Sequence, residues 1–491
     1  MIALSSYVYL AIILSIEEYT MLRNLPPALI MALSLFCLGS QAEAVSVELP
    51  PTKASSIATP PQGFGAQTKG GQGGRLLRVT TLEDNPRRPK EGSLRWAIEQ
   101  KGPRIVQFDV AGTIALEGPL TISEPFITID GETAPAGGIC IKDHALAIHD
   151  TNDVILRHLK IRRGDTTVLE QNRKEKRKRP QGSNDLDCVE MQASKNILID
   201  HCSISWSCDE LIEVNRCENV TVQWCILSEP LSNPAIHPYG DDHAFIGKTT
   251  LSTLTIHHCL LANYVMRGPK FSATASSPEE LPPFDTKMEA INNVMFNYVR
   301  EGSSYEAGFS LNDAVKKNYP AAFQFINNLY INKDDSVADI EVSTKDYGIS
   351  PYLRIYVADN IGPNRSSHSQ SSSDSLFLGD KKSIQTIPAV VRQLAKEQLF
   401  TAPVPVQIET AEVAFSRILE QAGAKQRDAV DERIVNSVKK RLFSSPALRS
   451  QELVGGWPDL TGGKTKPKKE PAEQQPEKEK KKKGDKAKDK K

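Results

Sequence analysis

The chain has 491 residues, 39% of them hydrophobic and 24% charged, with 60 Lys+Arg balancing 60 Asp+Glu. This composition excludes a wholly disordered chain, a collagen, a coiled coil and a multi-span membrane protein. Aromatic content of 6% offers no aromatic platform for nucleic acid. The balanced charge is unevenly spread: residues 464–491 hold 13 Lys and 6 acidic residues, so the rest of the chain is mildly acidic and carries a basic tail.

At the N-terminus, the apolar run at residues 7–16 is too short to span a bilayer. After Met21 come Arg23, an apolar run over 28–38, and Ala42-Glu43-Ala44. A basic region, an apolar core and an Ala-x-Ala end form the pattern of a secretory signal peptide. Residues 1–44 are therefore read as an extension plus signal peptide with Met21 as the start, and 45–62 as a linker. The expected location is secreted, extracellular or periplasmic, with no membrane span after signal removal.

The middle of the chain repeats. Similar short β-rich units end at Cys202, Cys225, Cys259, Asn293 and Asn328, in steps of 23, 34, 34 and 35 residues. A short period expanded by insertions marks a stacked solenoid. The units are too short to hold a helix between strands, so stacking must bury each coil's inner face. The expectation is an all-β parallel β-helix over 63–365, with Cys202, Cys225, Cys259, Asn293 and Asn328 forming one ladder along its axis. The cysteines show no CxxC zinc pattern and are expected mostly as buried free thiols. Gly63–Gly74 lacks the Gly-Lys-Ser/Thr ending of a P-loop. A Ser-rich linker is expected over 366–380 and a helical segment over 381–455, with helices at 387–399 and 411–443 covering part of the solenoid or its end. A disordered Lys/Glu-rich tail over 456–491 is expected to follow.

Three groups of residues carry possible chemistry. Asp185 and Asp187 precede a strand and share a face by period-two alternation. About one coil later comes Asp209-Glu210-Leu211-Ile212-Glu213, which places Asp209 or Glu213 one rung from Asp187. Several carboxylates gathered in this way suit Ca²⁺, which takes 6–8 oxygens in irregular geometry. Arg267-Gly268-Pro269-Lys270 then supplies two cations for an anionic ligand. The basic run at 173–179 is read as a solvated insertion that could attract a polyanion. His201, His257 and His258 lie on repeated strands, where packing is the better reading than metal binding. No Gly-x-Ser-x-Gly elbow is present.

Gly63-Phe64-Gly65-Ala66, Gly92-Ser93-Leu94-Arg95-Trp96-Ala97-Ile98, Ile127-Thr128-Ile129-Asp130-Gly131, Ile199-Asp200-His201-Cys202-Ser203 and Arg267-Gly268-Pro269 together resemble the pectate lyase family, over roughly residues 60–440. The resemblance implies a right-handed, pectin-lyase-like parallel β-helix. It also implies Ca²⁺-dependent β-elimination of α-1,4-polygalacturonate. Asp185, Asp187, Asp209 and Glu213 stand as Ca²⁺ ligands, and Arg267 matches the arginine assigned as base. An arginine is essentially always protonated, so charge stabilisation is the alternative role. Lys270, Tyr239 and His237 occupy substrate-binding positions; Tyr239 stands where related sequences often place a Lys. A monomer acting on an acidic polysaccharide, with no nucleic-acid partner, is expected. Two other readings are a non-catalytic β-helix that binds an acidic polysaccharide and, less favoured, a β-helix hydrolase using Asp185, Asp187 and Asp209 as acid and base.

Overall fold

The structure is a computed structural model that describes residues 60–183, 185–275, 277–307, 320–333, 338–343, 353–362, 376–378 and 395–461. The proposed signal peptide and most of the basic tail lie outside the described residues. Among those described, no helix is long and apolar enough to cross a membrane.

Each turn of the chain contributes a strand to each of three sheets, of ten, nine and eight strands, and every strand pairing within them is parallel. This is the parallel β-helix that the repeat spacing predicts. The interior is built from equivalent positions on successive coils. In the ten-stranded sheet Ile129, Leu156, Ile199, Val222 and Ile256 stand in register, and all are buried. Each such side chain contributes about 1.5–3 kcal/mol through burial, but only once the next coil covers it.

The predicted ladder is present. The Cys202 N–H donates to Cys225 Sγ, and the Cys225 N–H to Cys259 Sγ, both at 3.4 Å. The Cys259 N–H donates to Asn293 Oδ1 at 3.0 Å, and the Asn293 N–H to Asn328 Oδ1 at 3.0 Å. Asn360 extends the row. The seven described cysteines are free and buried, as expected. Just before the ladder, each coil turns its corner through one residue with positive φ: His158, His201, Trp224, His258, Asn292 and Asn327. Aromatic rings line this corner, with Trp224 and His258 stacked at a centroid distance of 4.5 Å and His158 and His201 tilted at 5.1 Å. His257 pairs with Gln223 and His258. These histidines pack the corner, in keeping with the packing role expected of them.

The Gly-rich stretch has a structural use. It runs along the outside of the ten-stranded sheet and hydrogen-bonds to a row of threonines. Phe64 N–H donates to Thr255 Oγ1, Gly65 N–H to Thr221 Oγ1 and Gly71 N–H to Thr128 Oγ1. A Cβ on Gly65 would lie 2.2 Å from the Ile197 carbonyl oxygen, so the close approach requires glycine there. The short helix Leu94–Ile98, started by the Ser93 side chain, closes the first end of the solenoid. Arg104, fully buried, ties that cap down by donating to the Ala97, Ile98 and Pro125 carbonyls.

The C-terminal part departs from expectation in three places. Helices form at Ala411–Gln421 and Ala429–Lys439, separated by a turn, and residues 395–400 are not helical; 387–394 lie outside the described residues. Both helices cover the outer face of the eight-stranded sheet, burying Trp224, Ile226, Leu260 and Phe296 against Ile418, Ile434 and Val438. Arg162 anchors the second helix, its guanidinium 2.5 Å from Asp428 and 2.9 Å from Asp431. Within the expected 366–380 linker, Leu376–Leu378 forms a strand paired with Ala338–Ser343, so the solenoid runs past residue 365. Residues 456–461 are also packed: the Trp457 indole donates to the Arg162 carbonyl at 2.9 Å and meets Trp206 edge-on, and Leu460 is buried. Composition missed this because the anchoring residues are few and lie beside the polar tail.

Candidate active site

The nine-stranded sheet carries the candidate site on its outer face. Strands Val189–Gln192, Glu210–Asn215, Phe245–Thr250 and Lys270–Ala273 are successive neighbours. Asp187 and Asp209 sit just before the first two of these strands. Stacking therefore brings residues 22 positions apart in sequence to one rung of each other.

Asp187, Asp209 and Glu210 each offer a carboxylate oxygen, and these three atoms lie within 4.8 Å of one another. Asp187 Oδ1 accepts from the Glu210 N–H at 2.9 Å. Burial, then the charges of Glu210, Asp209 and Glu213, push the Asp187 carboxyl well above the usual range. Burial also raises Asp209, against its hydrogen bond with Glu210 and the Arg267 charge. Burial and Asp209 push Glu210 up to about 7, despite Arg267; burial, Glu210 and Glu190 push Glu213 up to about 7. Four crowded acids that resist ionisation form a site short of positive charge. Asp209 Oδ1 is buried without a hydrogen-bond partner among the described residues. An oxygen-only donor set with an unsatisfied buried oxygen fits a hard divalent cation such as Ca²⁺.

Glu213 faces outward in register with Glu190 and Lys248, at the rim of the trio. Asp185 does not join the group. Its Oδ2 lies 2.5 Å from His144 Nδ1, and its Oδ1 accepts from the Ala145 N–H at 2.6 Å. Arg163 holds it further, donating to its carbonyl at 2.6 Å. The expectation that Asp185 and Asp187 act together fails because alternation holds only within a strand, and both precede one; Asp185 has φ of 62°.

Arg267, expected to face an anionic ligand, lies against the acids. Its Nη1 pairs with Glu210 Oε1, and its guanidinium lies 4.0 Å over the Phe245 ring. Lys270 is buried and pairs with Glu306 at 2.5 Å, which corrects its expected role as a free substrate cation. Lys248 is the better placed cation. It is in register with Glu213, its charge acts on Asp209, Glu210 and Glu213, and it has no ion-pair partner among the described residues. His237 is 1% exposed, and its Nε2 lies 3.1 Å from Asp209 Oδ2, so it holds Asp209 rather than a sugar. Tyr239, 74% exposed, stacks edge-on against His237 and remains open to ligand. Sequence reasoning passed over Glu210, Lys248 and His243. Glu210 and Lys248 were legible only through strand register.

Over 408 residues, 82% of this chain and 82% of the relative, the chain is 26% identical to the probable pectate lyase C of Aspergillus flavus. Against the Aspergillus oryzae protein of the same name the identity is 27% over 410 residues, again 82% of each. The chain is a relative of the pectate lyases. Pectate lyase 1 of Hesperocyparis arizonica is 34% identical to this pectate lyase relative over 164 residues, 31% of the chain and 41% of that protein. A solved thermostable pectate lyase, PL 47, is 12% identical with a TM-score of 0.47, covering 76% of this chain and 99% of its own; that likeness is too loose to add to the fold read from the strands. No family model matches the chain.

Proposed function

We propose that this pectate lyase relative is a secreted polysaccharide lyase that cleaves polygalacturonate by Ca²⁺-dependent β-elimination. The observation that carries the proposal is the meeting of Arg267 with the Asp187, Asp209 and Glu210 carboxylates on one outer face of the solenoid.

Asp187, Asp209 and Glu210 are the residues to hold Ca²⁺, with Glu213 at the rim. When bound, Ca²⁺ draws electron density from a uronate carboxylate and makes the neighbouring C5 proton more acidic. Arg267, beside these carboxylates, is the residue we assign to that step. Its ion pair with Glu210 and its seat over Phe245 are interactions of a charged guanidinium, which favours stabilising the negative charge over taking the proton. Lys248 and exposed Tyr239 are positioned to bind the uronate chain, one by charge and one by its ring. Transfer of the C5 proton to a solvent water, with cleavage of the C4–O bond and protonation of the leaving O4 from solvent, leaves a C4–C5 double bond in the product, and no water adds to the sugar.

The test is absorbance of the unsaturated uronate product from polygalacturonate, with Ca²⁺ and then with chelator. The expected result is a rise that stops on chelation. New reducing ends without absorbance and without a need for Ca²⁺ would establish hydrolysis instead, and Ca²⁺-dependent binding without product would establish a non-catalytic protein.

A further inference from the structure

One corner of the solenoid carries Asp187, Asp209 and Arg267. There the chain passes from the eight-stranded to the nine-stranded sheet, on successive coils after Arg162, Ser205, Ser228 and Tyr264. Asp187, Asp209 and Arg267 belong to the first, second and fourth of these passages. The first and third are long, and the second is a short step from Trp206 to Asp209. The two long passages therefore reach each other past the short one. Val168 and Leu186 of the first share a buried apolar cluster with Trp206 of the second and with Leu231 and Ile236 of the third. The Asn172 amide, from the first, donates to the Ala235 carbonyl of the third at 2.9 Å.

The first passage also carries the basic run, which the helix Thr166–Lys174 leads into. From Glu170 to Arg179 there are six cations, Arg173, Lys174, Lys176, Arg177, Lys178 and Arg179, against two acids, Glu170 and Glu175, a net of +4. Arg177 pairs with Glu175. The other five cations are exposed and have no ion-pair partner among the described residues. Arg179 lies against the third passage: a Cβ on Gly240 would run into its guanidinium, and Gly240 has φ of 70°, which favours glycine. Beside Gly240 is exposed Tyr239, whose ring packs on His237, and His237 in turn holds Asp209. The acids of this passage are engaged elsewhere. Asp241 lies 3.0 Å from His243 Nδ1, and Asp242 lies 3.4 Å from Arg449.

We propose that the basic run at 173–179 and Tyr239 form an accessory surface for the unreacted length of a uronate polymer, one that favours long chains with free carboxylates. The proposal rests on the lyase reading for its substrate class. A polymer held at the carboxylate trio carries further sugars, each with its own charge, and the third passage leads from Asp209 through His237 and Tyr239 to Arg179. Five unpaired cations match a repeating anion, whereas a neutral methyl ester gives them no charge to meet. Lysines and arginines on long stems hold a flexible polyanion without fixed geometry, and a patch of one sign attracts it from solution. Contacts of this kind bind substrate without touching the reacting atoms. A run of like charges repels itself, yet here the apolar cluster, the Asn172 bond and the seat on Gly240 all hold it beside the site.

The test measures binding to the full-length protein by calorimetry, in chelator so that Ca²⁺-dependent turnover does not enter. The probes are polygalacturonate, its fully methyl-esterified form and trigalacturonate. The unmutated protein should bind polygalacturonate more tightly than either of the other two, and the preference should disappear between 0.1 M and 1 M salt, as the Debye length shrinks from about 10 Å to about 3 Å. Arg173→Gln, Lys174→Gln, Lys178→Gln and Arg179→Gln combined should weaken polygalacturonate binding about tenfold or more. Lys480→Gln, Lys481→Gln, Lys482→Gln and Lys483→Gln combined remove the same charge from the C-terminal tail and should leave that binding unchanged. The proposal is overturned if the unmutated protein binds the ester as tightly as the free acid, if the first variant binds polygalacturonate undiminished, or if the loss follows the tail variant instead. The comparison of probes on the unmutated protein stands even if a variant fails to fold. Failure of the lyase reading would be seen separately, as absence of unsaturated product with Ca²⁺ present.

Discussion

Glu289 should make the stability of this protein fall as pH rises through the neutral range. It lies on strand Thr286–Ile291, 1% exposed. Its Oε1 accepts from Thr255 Oγ1 at 2.7 Å and its Oε2 from Gln324 Nε2 at 3.1 Å. No cation pairs with it among the described residues. Burial pushes its carboxyl from 4.5 up to about 7, against the two hydrogen bonds. The folded state therefore keeps a proton that the unfolded state releases. Stability from this group is fully present below the unfolded value and declines as pH rises toward the folded one. A shift of about 2.5 units corresponds to about 3 kcal/mol between roughly pH 4.5 and pH 8. The perturbation is Glu289→Gln, compared with the unmutated chain by denaturant unfolding at both pH values. The variant loses stability at low pH, because its amide meets the Gln324 amide. The quantity to read is the pH dependence, which should be smaller by about 3 kcal/mol in the variant. Other raised acids, such as Glu213, titrate in both proteins and cancel. Equal pH slopes in the two proteins would refute the reasoning.

Other substitutions test the site and the packing. Arg267→Ala should lower the rate of unsaturated product formation by about 10²–10³, the cost of removing one charge-stabilising donor, with folding unchanged by circular dichroism; an unchanged rate would remove Arg267 from the chemistry. Asp187→Asn should raise the Ca²⁺ concentration needed for half-maximal product by about tenfold or more, since charge count among the oxygen ligands sets Ca²⁺ affinity; the measurement is a Ca²⁺ titration of activity, and an unshifted midpoint would exclude Asp187 as a ligand. Arg162→Ala leaves buried Asp428 and Asp431 without their cation and should cost about 3–5 kcal/mol in denaturant unfolding. A loss under about 1 kcal/mol would mean that the C-terminal helices are held by their apolar face alone.

The sequence by itself determined the solenoid. Its evidence was local and periodic: units ending at Cys202, Cys225, Cys259, Asn293 and Asn328 became a hydrogen-bonded ladder, because equivalent positions of identical coils must stack. The same logic brought Asp187 and Asp209 to neighbouring rungs, and Arg267 lies beside them. Tertiary structure decided which charges remained available there. Asp185 was taken by His144 and the Ala145 N–H, and Lys270 by Glu306, through partners 41 and 36 residues away that no motif announces. Glu210, Lys248 and His243 entered the site through strand register and the course of one loop. A charge is spoken for only when its neighbours in space are known, and in a β-helix those neighbours come from other coils. For the same reason Trp457, beside a polar tail, was fixed by contacts with Trp206 and Arg162 more than 250 residues earlier in the chain.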